Sequence, residues 1–120
     1  LAIGDRLDTD IEAGNRGGYD SLAVLTGVTN PRELMFAPAH LRPTYISKDL
    51  IGLNELAPEV AHEAGAWSCR DVQARVDGDR LYVTDITSVD GLRAACAAMW
   101  DVADRGRDVS DMIVPEFRIA

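Results

Sequence analysis

An apolar run that stops at a glycine and turns at once into three carboxylates constrains this chain more than any other stretch. Leu1-Ala2-Ile3 carries no capping residue and is followed directly by Gly4-Asp5-Arg6-Leu7-Asp8-Thr9-Asp10. A short buried strand that breaks at glycine and passes into a helix is the product of a parallel α/β unit, and ligands of such sheets lie beyond the carboxyl ends of the strands. Asp5 is therefore expected at the functional edge of a sheet. The run also reads as the end of a strand whose upstream sequence has been cut away.

The alternation of apolar runs and glycine turns continues through the first half. Residues 11–16 suit a short helix stopped by Gly17 and Gly18, because glycine readily takes the left-handed conformation at a helix end. Residues 21–26 read as a second buried strand. Thr29 or Asn30 can cap a helix with Pro31 at its first position, and that helix should end before Pro38. Residues 43–47 suit a short edge strand, and residues 49–53 a helical turn.

A polar stretch with Pro58 and Gly65 marks a junction over residues 54–66. Beyond it, residues 67–76 look strand-like, Asp77-Gly78 is a hairpin signal, and residues 80–84 return as the partner strand. Ser88 can cap a long helix in which Val89, Leu92, Cys96, Met99 and Ala103 recur at helical spacing down to Gly106. Residues 114–119 suit a last strand, held at an edge by Pro115. The fold class is therefore α/β: part of a Rossmann-like parallel sheet over residues 1–53, a linker over 54–66, and a small α+β region of hairpin, helix and strand over 67–120.

The balance of charge removes several functions. The chain has 120 residues, 47% of them hydrophobic, enough to bury one modest core. A formal charge of −8 argues against nucleic acid as a partner, since affinity for a phosphate backbone needs clustered Lys and Arg. No apolar run approaches the roughly 18 residues of a membrane span, so a membrane is not expected as a partner and a cytoplasmic location is. Cys69 and Cys96 are too far apart in sequence for a CxxC pair and read as buried thiols. His40 and His62 lack flanking ligands and read as surface residues, and Trp67 and Trp100 as anchors of the second core.

The acidic turn is where chemistry is expected. Asp5, Asp8 and Asp10 gather oxygen donors at a strand end, the seat that a hard cation such as magnesium prefers. The same residues are also ordinary turn formers and helix caps. An EF-hand is excluded: a loop started at Asp8 would need Gly at the sixth place and Glu at the twelfth, but holds Ala13 and Tyr19.

Ile3-Gly4-Asp5-Arg6-Leu7-Asp8-Thr9-Asp10-Ile11, with Ala13-Gly14-Asn15, Ser21-Leu22-Ala23-Val24-Leu25-Thr26-Gly27-Val28 and Pro43-Thr44-Tyr45-Ile46, resembles the fourth motif and following strand of haloacid-dehalogenase (HAD) phosphatases. It most resembles subfamily IIA, which includes the nitrophenylphosphatase, phosphoglycolate phosphatase and glycerol-3-phosphate phosphatase types. The resemblance implies that Asp5 coordinates Mg2+ and that Asp10 supports the site through a water or a hydrogen bond. Asp8 is a lesser metal candidate, and Arg6 a candidate contact to phosphate. It further implies hydrolysis of a small phosphorylated metabolite through an aspartyl-phosphate, glycerol 3-phosphate being favoured. The nucleophilic aspartate, the acid/base aspartate and the lysine of the family have no counterpart in these 120 residues. No catalytic residue is therefore assigned here beyond the supporting Asp10; the missing N-terminal half of the same protein, with its substrate-selecting cap, becomes the expected partner, and the chain alone is expected to be inactive.

Residues 67–120 are similar to the C-terminal region of actinobacterial glycerol-3-phosphate phosphatases, which is acetyltransferase-like in fold. The Arg/Gln-xx-Gly-x-Gly/Ala loop that would cradle coenzyme A is absent from the sequence, so the region reads as a structural or homodimer-forming appendage. The alternative to an enzyme part is a non-catalytic interaction module, in which the acidic loop is only structural.

Overall fold

The computed structural model describes residues 2–4, 7–25, 30–47, 60–63 and 65–119, with Ala2, Asp8 and Thr9 described by backbone alone. The chain divides into two compact units, Leu1–Ala57 and Pro58–Ala120. No helix among the described residues is long and apolar enough to cross a membrane.

The first unit is built on three parallel strands, β1 (Ala2–Gly4), β2 (Ser21–Val24) and β3 (Tyr45–Ser47), in the order β1-β2-β3. The register aligns Gly4 with Ala23, and Ala23 with Ile46. All four residues of β2 are buried, as expected of a central parallel strand covered on both faces. The predicted helix over 11–16 is present from its second residue, Ile11 being the last of a preceding π-helical turn. The chain leaves β1 through a π-helical turn, Leu7–Ile11, before α1, Glu12–Arg16. Leu7 and Ile11 are 1% and 0% exposed, so both ends of that turn are pinned in the core. Asn30 does cap α2 (Pro31–Met35): its side chain accepts from the Glu33 amide at 2.8 Å, and Pro31 opens the helix. A 3-10 turn at Ala39–Leu41, not read from the sequence, follows. The helical turn expected over 49–53 lies outside the described residues.

The second unit is an antiparallel meander of four strands, β4 (Val60–Glu63), β5 (Ala66–Cys69), β6 (Val72–Asp77) and β7 (Arg80–Val83), with α3 (Val89–Asp104) packed on it. Three sequence expectations are corrected here. The junction placed at 54–66 contains β4, which escaped notice because Ala61, His62 and Glu63 are all exposed and give no apolar alternation. The strand expected over 67–76 is two strands, divided by a tight turn at Arg70-Asp71 in which Arg70 adopts φ +54°, a conformation seldom taken without glycine. Residues 114–119 form no strand. Ile113 bridges Arg80 in parallel, and Pro115 lacks the amide that would extend the ladder.

The hairpin at Asp77-Gly78 is present, with Asp77 paired to Arg80 and Gly78 at φ +63°, the placement of glycine found in II′ turns. Ser88 caps α3 by accepting from the Gly91 amide at 3.1 Å. Leu92, Cys96 and Met99 are 0% exposed, while Gly91, Ala94, Ala95 and Ala98 widen the buried face beyond the predicted stripe. These small residues let the helix approach closely: a Cβ on Gly91 would overlap the Asp85 carbonyl. Trp67 and Trp100 are only half-buried, so Leu92, Met99 and the cysteines form the core instead. Trp67 stacks on His62, with ring centroids 4.5 Å apart.

Candidate functional site

Because β1, β2 and β3 are parallel, Gly4, Val24 and Ser47 end at the same edge of the sheet. That is where ligands of open α/β sheets collect. The π turn brings Asp10 back onto this edge, and its side chain occupies the space in which Gly4 would carry a Cβ. Asp10 is half-buried there, so one carboxylate is fixed beside the end of β1. Asp8 lies on the same turn by its backbone. Asp5 and Arg6 lie outside the described residues. Among the described residues no group of three or more His, Cys, Asp or Glu side chains gathers as a metal site; of the metal-site candidates, only Asp10, expected as a support rather than a direct ligand, has its side chain described.

The opposite edge of the same sheet carries a hydrogen-bond brace that spacing alone did not reveal. Asn15 on α1 donates through Nδ2 to the carbonyls of His40 and Arg42, at 3.0 and 2.9 Å, and accepts from the Ser21 hydroxyl at 3.0 Å. Thr44 Oγ1 accepts from the Ser21 amide at 2.9 Å, and the Thr44 amide donates to Ser21 Oγ at 3.1 Å. Ser21 is completely buried, yet its hydroxyl and amide are satisfied, as burial of polar groups requires. Asn15, Ser21 and Thr44 thus tie the starts of β2 and β3 to α1. His40 is exposed and takes part through its backbone.

The second unit holds one cluster of charged and sulfur groups. Cys69 Sγ donates to Asp90 Oδ1 at 3.4 Å, and Asp90 is also paired with Arg93 at 2.7 Å and Arg70 at 3.6 Å. Burial, and secondarily the negative charge of Asp90, pushes the Cys69 thiol up to about 11. Burial raises the Cys96 thiol as well. A thiol held protonated is a poor nucleophile and a poor metal ligand, so both cysteines serve packing. Both are free and buried, as expected.

The HAD-hydrolase-like family model matches residues 1–53. Over those residues the chain is similar to the HAD superfamily. A model of the GCN5-related N-acetyltransferase-like domain matches residues 69–111. The D-glycerol 3-phosphate phosphatase of Mycobacterium tuberculosis is 39% identical over 109 residues, which cover 84% of this chain and 30% of that protein. Phosphoglycolate phosphatase 2 of Arabidopsis thaliana is 43% identical over 56 residues, covering 44% of this chain and 19% of its own length. The crystal structure of the mycobacterial glycerol phosphate phosphatase with magnesium superposes with a TM-score of 0.68 at 33% identity, over 97% of this chain and 33% of that one. Its calcium complex gives a TM-score of 0.70 at 32% identity. The chain thus spans about a third of the solved relatives' length.

Proposed function

We propose that this chain is the metal-binding part of a magnesium-dependent HAD phosphatase acting on a small phosphorylated metabolite, with glycerol 3-phosphate as the favoured substrate. The observation that carries the reading is the Asp10 carboxylate held against Gly4 at the carboxyl edge of a parallel sheet. Its donor chemistry suits Mg2+, a hard cation that takes carboxylate oxygens and keeps several waters. Asp5 is the direct ligand in this reading, Asp10 supports it through a water or a hydrogen bond, Asp8 is a further candidate, and Arg6 is a candidate contact to the phosphate. Bound magnesium would neutralise phosphate charge and hold the phosphoryl group in line. The loop supplies negative charge and position; the nucleophile, the acid/base group and the lysine belong to the rest of the protein. The named activities of the mycobacterial and plant relatives support phosphate monoesters as substrates and glycerol 3-phosphate above others.

The second unit is an appendage rather than an acyltransferase in this reading. An acyl-coenzyme A pyrophosphate is commonly received at a helix N-terminus, where free amides and the dipole attract anions. The start of α3 is already occupied: Ser88 caps it and Asp90 sits in its first turn. Asp85 lies just before it, kept ionised by hydrogen bonds from the Thr87 hydroxyl and amide. Two carboxylates there disfavour a pyrophosphate.

The test is hydrolysis of glycerol 3-phosphate and phosphoglycolate by the full-length protein with Mg2+, beside residues 1–120 alone. The full protein should turn over one of them, lose activity with EDTA, and lose it with Asp5→Ala. No turnover by the full protein, or Asp5→Ala as active as the parent, would leave the non-catalytic module as the better reading.

A further inference from the structure

Gly4 is one of the chain's glycines at which the backbone makes no demand for glycine. Among the described residues, the left-handed glycines are Gly18, Gly65, Gly78 and Gly106, and Gly4 is not among them. As the last residue of β1 it adopts strand conformation, where glycine is intrinsically unfavourable and usually marks a close approach by another group. The approaching group is identified: the three heavy atoms nearest a Cβ at position 4 are Asp10 Cβ, Cγ and Oδ2.

From this we infer that Gly4 is a positioning residue for the metal site, its missing side chain being the slot that holds the Asp10 carboxylate at the end of β1. The inference rests on the magnesium reading above and extends it to a residue with no ligand atom of its own. Rotation about χ1 cannot relieve an overlap that includes Asp10 Cβ, because Cβ moves only with the backbone. The backbone in turn is pinned, since Leu7 and Ile11 anchor the π turn at 1% and 0% exposure. An alanine at position 4 must therefore either displace Asp10 or pull an anchor from the core. π turns of this kind recur at functional sites because they redirect a side chain within a short span.

The experiment titrates MgCl2 by calorimetry and records thermal midpoints for the full-length protein and for Gly4→Ala, Asp10→Gly, the double variant of these two, and Asp5→Ala. Gly4→Ala should weaken Mg2+ affinity about 10–100-fold, the range found when a group supporting a metal ligand is disturbed, and should lower the midpoint. Asp10→Gly should weaken Mg2+ comparably. The double variant should regain the midpoint lost in Gly4→Ala without regaining Mg2+ affinity, because deleting the Asp10 side chain empties the slot. That recovery serves equally if Gly4→Ala alone fails to fold. Unchanged Mg2+ affinity in Gly4→Ala beside a loss in Asp10→Gly would overturn the inference and spare the metal reading, as would a double variant no more stable than Gly4→Ala. Full Mg2+ affinity in both Asp10→Gly and Asp5→Ala would sink the metal reading and the inference with it.

Discussion

β2 of the first unit is buried at every position, whereas β6 of the second alternates, with Val72 and Ala74 in and Gln73 and Arg75 out. The first pattern belongs to a parallel strand covered on both faces, the second to an antiparallel sheet with one face on a helix and one in water. The difference decides where each unit keeps its polar groups. In the first, a polar residue in the strand must be fully satisfied, as Ser21 is, and the Asp10 carboxylate lies at the sheet's edge. In the second, polar side chains sit on an open face, where Arg75 lies over the Tyr82 ring at 5.4 Å, and the interior is left to apolar and thiol groups. A parallel unit thus concentrates its chemistry at the strand ends, and an antiparallel one with a packed helix has no equivalent edge.

The sharpest way to break this contrast is to empty the second core. Leu92→Ala removes a side chain at 0% exposure and should cost about 2–5 kcal/mol in chemical denaturation. Hydrogen exchange should show protection lost in β5, β6, β7 and α3. Equal loss in β1 to β3 would mean that the two units do not hold their cores separately.

Asn15→Ala probes the buried polar brace of the first unit. It removes the acceptor of the buried Ser21 hydroxyl and the bonds to the His40 and Arg42 carbonyls, and should destabilise by about 1–3 kcal/mol. Amide exchange at Ser21 and Thr44 reports it; a change below about 0.5 kcal/mol would show that water replaces the brace. Smaller again is the alkaline response of the second unit. A thiol whose folded pKa lies near 11 against an ordinary 9.0 favours the folded state fully below pH 9, and that advantage is lost as pH rises toward 11. Stability should fall by about 1 kcal/mol by pH 10 on account of Cys69. Cys69→Ala should flatten the dependence of the thermal midpoint on pH between about 8.5 and about 10, and an unchanged slope would assign the titration to another group. Smallest is Arg70→Gly. It relieves a left-handed arginine but removes an ion pair to Asp90 whose arginine side chain is 57% exposed, so a net stabilisation below about 1 kcal/mol is expected by thermal melting. A clear loss would show that the Arg70 to Asp90 pair outweighs backbone relief.

Much of the architecture was legible because the signals were local. Asn30-Pro31, Ser88 and Asp77-Gly78 each act within a few residues, and each forms the cap or turn its chemistry dictates. The turn at Arg70 was not legible, since it breaks the rule that glycine or asparagine takes positive φ. β4 was missed because an exposed edge strand leaves no apolar period. At the candidate site, the spacing of Asp5, Asp8 and Asp10 pointed to the loop, but nothing local says that Gly4 and Asp10, six positions apart, occupy each other's space.

By itself the sequence determined the local grammar: a strand ending at glycine, an acidic turn after it, a capped amphipathic helix, and a net charge of −8 unsuited to nucleic acid. These depend on backbone preference and side-chain period, which neighbours along the chain fix. Only the tertiary structure decided that the acidic turn is π-helical, that Asn15 closes over the starts of β2 and β3, and that the Asp10 carboxylate fills the slot beside Gly4. Those are contacts between distant or differently oriented segments, set by which atoms compete for the same buried volume, and close packing rather than sequence order resolves that competition.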